Sequence, residues 1–258
     1  MKCRRLITVS VLTAGLLACA TSPLGRNQFL LMPADQMDEM GSTAYAQMKQ
    51  EKPQSKNSRE VNYVLCVSNA ITSTLGGSQQ WEVTVFQEDS ANAFALPGGK
   101  IGVNQGLLKV AVNDAQLAAV IGHEVAHVLA QHGNERLTQE LGIKALLLLV
   151  GLFSEGDADS ERIIQALGLG AHLGIALPFS RAHEEEADVM GLELMASAGF
   201  DPRESTQLWR NMAAAGGGQP LEFLSTHPNH ESRIEELQAR MNEAFQRYQK
   251  RPPATCNQ

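Results

Sequence analysis

Gly122-His123-Glu124-Val125-Ala126-His127 is the stretch that decides how the rest of the chain is read. In a helix each residue turns about 100°, so His123 and His127 lie about 40° apart and point the same way. Two imidazoles at that spacing can bind one metal ion. Glu124, about 100° round from His123, reaches toward the ion's open side, where a general base belongs. Leu117, Ile121, Val125 and Val128 fall within about 80° of one another and form a separate packing stripe. The helix therefore has one face for the core and another for chemistry. His132 lies about 180° from His123 and is not a ligand supplied by this helix. A longer zinc motif would need histidine at 133, where the chain has Gly133, so a third ligand must come from elsewhere.

Working outward, Asn113 can cap this helix, with Gln116 placed to reciprocate, and Gly133 is expected to stop it after His132. Upstream, Trp81 to Phe86 alternates and is β-branched, which predicts a strand. Asn92 to Leu96 is a second strand, Pro97-Gly98-Gly99 a turn and Lys100 to Val103 a third strand. Helices are expected over Pro33–Gln50 and Ser58–Leu75, the latter stopped by Gly76-Gly77. Downstream, helices are expected over Ala182–Ala198, Pro202–Ala214 and Pro228–Tyr248, with a glycine link at 216–218. Ala145–Phe153 and Ile163–Leu177 are strongly apolar, but neither reaches the ~20 residues of a membrane span. They read as buried helices or an active-site cover, with a polar, acidic loop over 154–161 between them. The fold class is α+β and mostly helical, with residues 33–250 as one domain and a loose tail over 251–258.

The chain has 258 residues, 43% of them hydrophobic but only 5% aromatic, so its core is largely aliphatic. The net charge of −7 repels phosphate backbones and argues against a nucleic-acid partner. Lys2, Arg4 and Arg5 precede an apolar run from Leu6 to Leu17, which reads as a secretory leader over 1–18. Leu16-Leu17-Ala18-Cys19 looks like a bacterial lipobox, which would place a lipid anchor on Cys19 and a tether over 19–32. The simpler alternative is a plain signal with an incidental Cys19. Ala20 after Cys19 favours the periplasmic face of a Gram-negative outer membrane. Cys66 and Cys256 then remain in an oxidising compartment as a disulfide or as two free thiols.

Arg181-Ala182-His183-Glu184-Glu185-Glu186-Ala187-Asp188 can be an acidic helix start, since carboxylates favour a helix N-terminus. It can equally supply a carboxylate ligand, because two histidines and a glutamate are an established catalytic zinc set. Chemistry alone does not choose among Glu184, Glu185 and Glu186. Asp188 shares a face with Glu184, so one can bind metal while the other orients an imidazole. Ser225-Thr226-His227-Pro228, followed by Arg233, read in isolation is a helix entry with an incidental histidine.

Taken in order, Asn92-Ala93-Phe94-Ala95-Leu96-Pro97-Gly98-Gly99, the His123–His127 motif, Arg181 to Asp188 and Thr226-His227-Pro228 with Arg233 resemble the HtpX-like and CAAX-prenyl-protease-like gluzincin metallopeptidases. The chain is most similar to their periplasmic lipoprotein branch rather than to the membrane-spanning members. The resemblance implies a minimal zincin fold with a small sheet packed beside the active-site helix, and one Zn²⁺ per chain. It implies Glu184 as the third zinc ligand and Asp188 as the carboxylate behind an imidazole. It places His227 near the zinc, either stabilising the transition state or capping the metal at rest. Asn92, Ala93, Phe94 and Ala95 resemble the edge that pairs with substrate backbone. The implied activity is a zinc metalloendopeptidase acting on protein or peptide substrates, misfolded or unassembled envelope proteins, with Glu124 as base. The rival reading is a zinc-stabilised chaperone or assembly factor serving the outer-membrane protein assembly machinery.

Overall fold

The computed structural model describes residues 19–153, 179–215, 221–227 and 231–256. The leader, the acidic loop, the helix expected over 163–177, the glycine link and Pro228 lie outside the described residues. The strands are β1 (Cys19–Thr21), β2 (Asn27–Phe29), β3 (Glu82–Phe86), β4 (Ala93–Leu96) and β5 (Lys100–Asn104). The helices are α1 (Ala34–Glu51), α2 (Ser58–Thr72), α3 (Asp114–Leu129), α4 (His132–Phe153), α5 (Arg181–Ser197), α6 (Glu204–Ala215), α7 (Glu222–Thr226) and α8 (Glu231–Tyr248). None of the described helices is long and apolar enough to cross a membrane.

The chain groups into two compact units. One is drawn from Met1–Ala34 and Gln131–Leu177, the other from Asp35–Ala130 and Pro178–Gln258. In the first, the expected tether carries the antiparallel β1–β2 ribbon. Arg26 donates to both oxygens of Glu135 at 2.8 Å, and Gln28 to Glu135 Oε2 at 3.2 Å. Leu31 N–H bonds Thr138, and Met32 exchanges hydrogen bonds with Asn134. The polar composition that suggested a tether is what bonds the segment to the first turns of α4.

In the second unit, β3 and β5 pair in parallel and β4 joins β5 antiparallel, giving the order β3-β5-β4 with β4 at an edge. Helix α3 is the centre. Asn113 caps it by accepting from Gln116 N–H at 2.8 Å, while the Gln116 side chain accepts from Val112 N–H at 3.0 Å. Every residue from Ala115 to His127 is buried, so the expected chemical face is as dry as the packing stripe. The helix ends earlier than expected. Gln131, at φ 55°, takes the left-handed position, and Gly133 falls inside the first turn of α4.

Two glycines set how closely α3 and α5 approach. A β-carbon on Gly122 would sit 2.9 Å from the Gly191 carbonyl oxygen, and one on Gly191 2.8 Å from the His123 amide nitrogen. Gly191 lies seven residues beyond Glu184 and three beyond Asp188, so this backbone contact carries both carboxylates toward His123. The C-terminal segment, expected to be loose, is seated. Ala254 N–H bonds the Gly199 carbonyl, and Cys256 N–H bonds Asp114 at 3.0 Å. The structure joins Cys66 and Cys256 in a disulfide with Cα atoms 5.9 Å apart.

The Gly122–Gly191 contact makes a direct prediction. Gly191→Ala forces α3 and α5 apart and should lower stability by about 1–3 kcal/mol in urea unfolding. An unchanged urea midpoint would show that the close approach is not needed.

Candidate metal centre

Helix α3 supplies His123, Glu124 and His127, α5 supplies Glu184 and Asp188, and His227 follows α7. Ser180 caps α5 by accepting from His183 N–H at 3.3 Å, which fixes where the first turn starts and puts Glu184 inward. Glu184 is fully buried, whereas Glu185 is only half-buried. Glu186 is buried as well, but of the three only Glu184 joins the histidine cluster among the described residues.

His123, His127, Glu184 and His227 each point one ligand atom into the same space, all within 4.8 Å of one another. The edges of that cluster are informative. His127 Nε2 lies 3.0 Å from His123 Nε2, and His123 Nε2 lies 3.2 Å from His227 Nδ1. Glu184 Oε1 lies 3.0 Å from His227 Nδ1 and 3.4 Å from His127 Nε2. A tetrahedral zinc with ligands at ~2.0 Å has ligand–ligand edges of about 3.3 Å. The four edges given lie near that value, and three imidazole nitrogens with a carboxylate oxygen are a donor set that suits a metal ion such as zinc.

Behind the ligands, Asp188 Oδ1 stands 3.0 Å from His123 Nδ1, the carboxylate that fixes the imidazole's orientation. Arg233 then ties both acids together. Its Nε donates to Asp188 at 2.6 Å, its Nη2 to the other Asp188 oxygen at 2.8 Å, and its Nη1 lies 2.7 Å from Glu184 Oε2. The guanidinium is fully buried and lies 3.9 Å from the centre of the Trp209 ring. Burial opposes charge on Asp188, but the Arg233 charge outweighs it and holds the carboxyl below its ordinary value.

Electrostatics sort the remaining groups. Burial alone would raise Glu184, but hydrogen bonds from His123, His127 and His227 hold it far below the ordinary carboxylate range. Burial would lower His123, but Asp188 and Glu184 outweigh it and lift its pKa to about 9 in the metal-free chain. His127 is pushed down, first by burial. Glu124 is raised by burial. Its Oε1 makes no hydrogen bond among the described residues, and His227 Nε2 stands 3.4 Å from it.

Sequence reasoning missed the aromatic walls and the roles of Gly191 and Arg233. His227 is stacked between Phe223 at 4.5 Å and Phe179 at 5.4 Å, and Phe179 also packs on His127 at 4.1 Å. The residues read as a substrate edge divide. Ala93, Phe94 and Ala95 lie in β4, but Asn92 precedes the strand and donates to Glu222 at 2.9 Å. Phe94 sits opposite Gly102 and stacks on Phe86 at 6.0 Å, so its ring is a packing group. The Ala95 backbone offsets part of the burial effect on the Glu124 carboxylate, which places this strand beside the site. Nothing in the sequence signals these contacts beyond the order of the motifs.

Arg233→Met leaves Asp188 and Glu184 buried without their cation. It should cost about 3–5 kcal/mol of stability in the denaturant unfolding of the metal-free chain. A midpoint unchanged from the parent would mean that the guanidinium is dispensable.

A model of Peptidase family M48 matches residues 57–241. The chain is 36% identical over 185 residues to the mitochondrial metalloendopeptidase OMA1 of Schizosaccharomyces pombe, covering 70% of this chain and 53% of the relative. It is 42% identical over 166 residues to the OMA1 of Arabidopsis thaliana, covering 64% and 32%. It is 28% identical over 167 residues to the beta-barrel assembly-enhancing protease of Escherichia coli (strain K12), covering 62% and 34%. The chain thus spans from about a third to about half the length of these relatives. The expected location at a Gram-negative outer membrane does not stand. The relatives at 36% and 42% identity are mitochondrial proteases, and the assembly-enhancing protease is more distant. These relatives support the M48 family as a whole and do not single out its HtpX-like branch. With the family model covering well over half of the chain, this protein belongs to peptidase family M48.

Proposed function

We propose that this chain is a zinc-dependent endopeptidase whose metal is held by His123, His127 and Glu184, with His227 closing the fourth position at rest. The observation that supports this most is the set of edges between 3.0 and 3.4 Å joining the four ligand atoms. Bound there, zinc supplies Lewis acidity and lowers the pKa of a water toward neutrality. Glu124 takes a proton at Oε1 and delivers it to the leaving amine, and its burial suits a group that must both accept and give. Asp188 and Arg233 hold His123 and Glu184 in place, so the ligands need no reorganisation.

The open edge of β4 is where an extended substrate strand adds, by backbone hydrogen bonds that tolerate many sequences. That supports unfolded or unassembled polypeptides as the substrate class, and the beta-barrel assembly-enhancing relatives lend the narrower reading of proteins that have not yet assembled. Substrate must displace His227, which sits between Phe179 and Phe223. This closed position favours a second reading, an assembly factor whose proteolysis is gated. Rescue of assembly by a chain carrying Glu124→Gln would support it.

Glu124→Gln should keep zinc, measured by metal analysis, and lose casein cleavage by about 10²–10⁴-fold. Wild-type cleavage by that variant would end the proposed mechanism. His227→Ala should retain zinc on three ligands and cleave casein faster than the parent. Retained zinc with lost cleavage would instead make His227 an assisting group.

A further inference from the structure

Helix α7 is bonded to the strand edge proposed for substrate. In the β4–β5 pair, Asn104 N–H donates to the Asn92 carbonyl at 3.0 Å, and the register sets Phe94 opposite Gly102. Bonded and non-bonded pairs alternate in an antiparallel ladder, so Asn92, Phe94 and Leu96 turn their backbone groups toward β5. Ala91, Ala93 and Ala95 turn theirs toward the open edge. The first of those positions is already taken, because Phe223 N–H donates to the Ala91 carbonyl at 3.3 Å. Phe223 is the second residue of α7, where a helix has no carbonyl of its own to satisfy an N–H. Beside that bond, the Asn92 side chain donates to Glu222 Oε1 at 2.9 Å. Ala91 and Ala93 are only 6% and 2% exposed, so the start of the edge is covered.

The residue that takes the edge also holds the closing histidine. The Phe223 ring is buried, stacks on His227 at 4.5 Å and stands 6.0 Å from Trp209. The Phe223 carbonyl accepts from His227 N–H at 2.9 Å. At the other end of α7, the Thr226 carbonyl accepts from Phe179 N–H at 3.1 Å, and Phe179 also stacks on His227. Between Phe223 and His227 lies a single hydrogen-bonded turn, so a displacement of the first reaches the second. A strand that pairs at Ala95 and Ala93 and runs on in the same direction meets Ala91 about 13 Å from Ala95, at ~3.3 Å per residue. There it competes with Phe223 for one carbonyl.

We infer that the Ala91–Phe223 and Asn92–Glu222 bonds form a latch, and that an extended substrate strand releases His227 by taking the Ala91 carbonyl from Phe223. Asn92 and Glu222 are positioning residues that act by holding α7. The latch rests on the reading of β4 as the substrate edge and deepens it by coupling that edge to His227. The test is hydrogen–deuterium exchange on the full, zinc-loaded chain carrying Glu124→Gln, with and without β-casein as an unfolded probe. Bound casein should slow exchange over 93–96 and speed it over 222–227. Slowed exchange over 93–96 with 222–227 unchanged overturns the latch and leaves strand addition standing. No change in either segment while casein is bound overturns both. In the same background, Glu222→Ala should speed exchange over 222–227 without casein and tighten casein binding about 2–10-fold, the effect of one lost hydrogen bond. Glu222→Gln keeps an acceptor oxygen and should match the parent. Exchange and affinity unchanged by Glu222→Ala also overturn the latch. Should that variant melt below the parent, Asn92→Ala breaks the same bond from the strand side. Casein cleavage by the chain with Glu124 intact reports separately on the peptidase reading, so the two can fail independently.

Discussion

A carboxylate and three imidazoles packed 3.0 to 3.4 Å apart in a dry core cannot be stable without a cation between them or a cation behind them. This fold provides for both. Arg233 stands behind Glu184 and Asp188, and the four side-chain atoms in front of it lie within 4.8 Å of one another, close enough to share one ion. The rest of the second unit serves that cluster. Gly122 and Gly191 let α3 and α5 touch backbone to backbone, the Ser180 cap sets which glutamate faces inward, and Phe179 and Phe223 hold the His227 ring between them.

The same buried network holds the side chains of the cluster in place. Asp188 stands against the His123 ring and Arg233 against Glu184, so both side chains are held in orientation without an ion. His227 reaches two ways, with Nδ1 toward the ligand cluster and Nε2 toward Glu124. A single ring thus stands against both the histidine–carboxylate cluster and Glu124. Moving α7, only five residues long, would relieve both at once.

The helix carrying the two histidines was legible because helical geometry alone brings His123 and His127 together, and the β3, β4 and β5 strands followed from alternation and turn residues. Glu184 was not separable from Glu185 and Glu186 by chemistry, because one residue's difference in helix phase is set by the Ser180 cap rather than by side-chain type. Gly191 reads in a sequence as a weakness in a helix, and only its contact with Gly122 shows its purpose. The end of α3 misled for a related reason. A nearby Gly133 promised the left-handed position, but Gln131 takes it. The ribbon at 19–32 and the C-terminal segment read as loose because their polar residues have partners more than a hundred residues away.

The most direct measurement of the central claim is zinc K-edge X-ray absorption on the purified, metal-loaded chain at rest. The account predicts one zinc per chain with three imidazole nitrogens and one carboxylate oxygen at about 2.0–2.1 Å and no sulfur. A shell with only two imidazoles would contradict His227 as the resting fourth ligand, and the absence of stoichiometric zinc would contradict the metal centre itself.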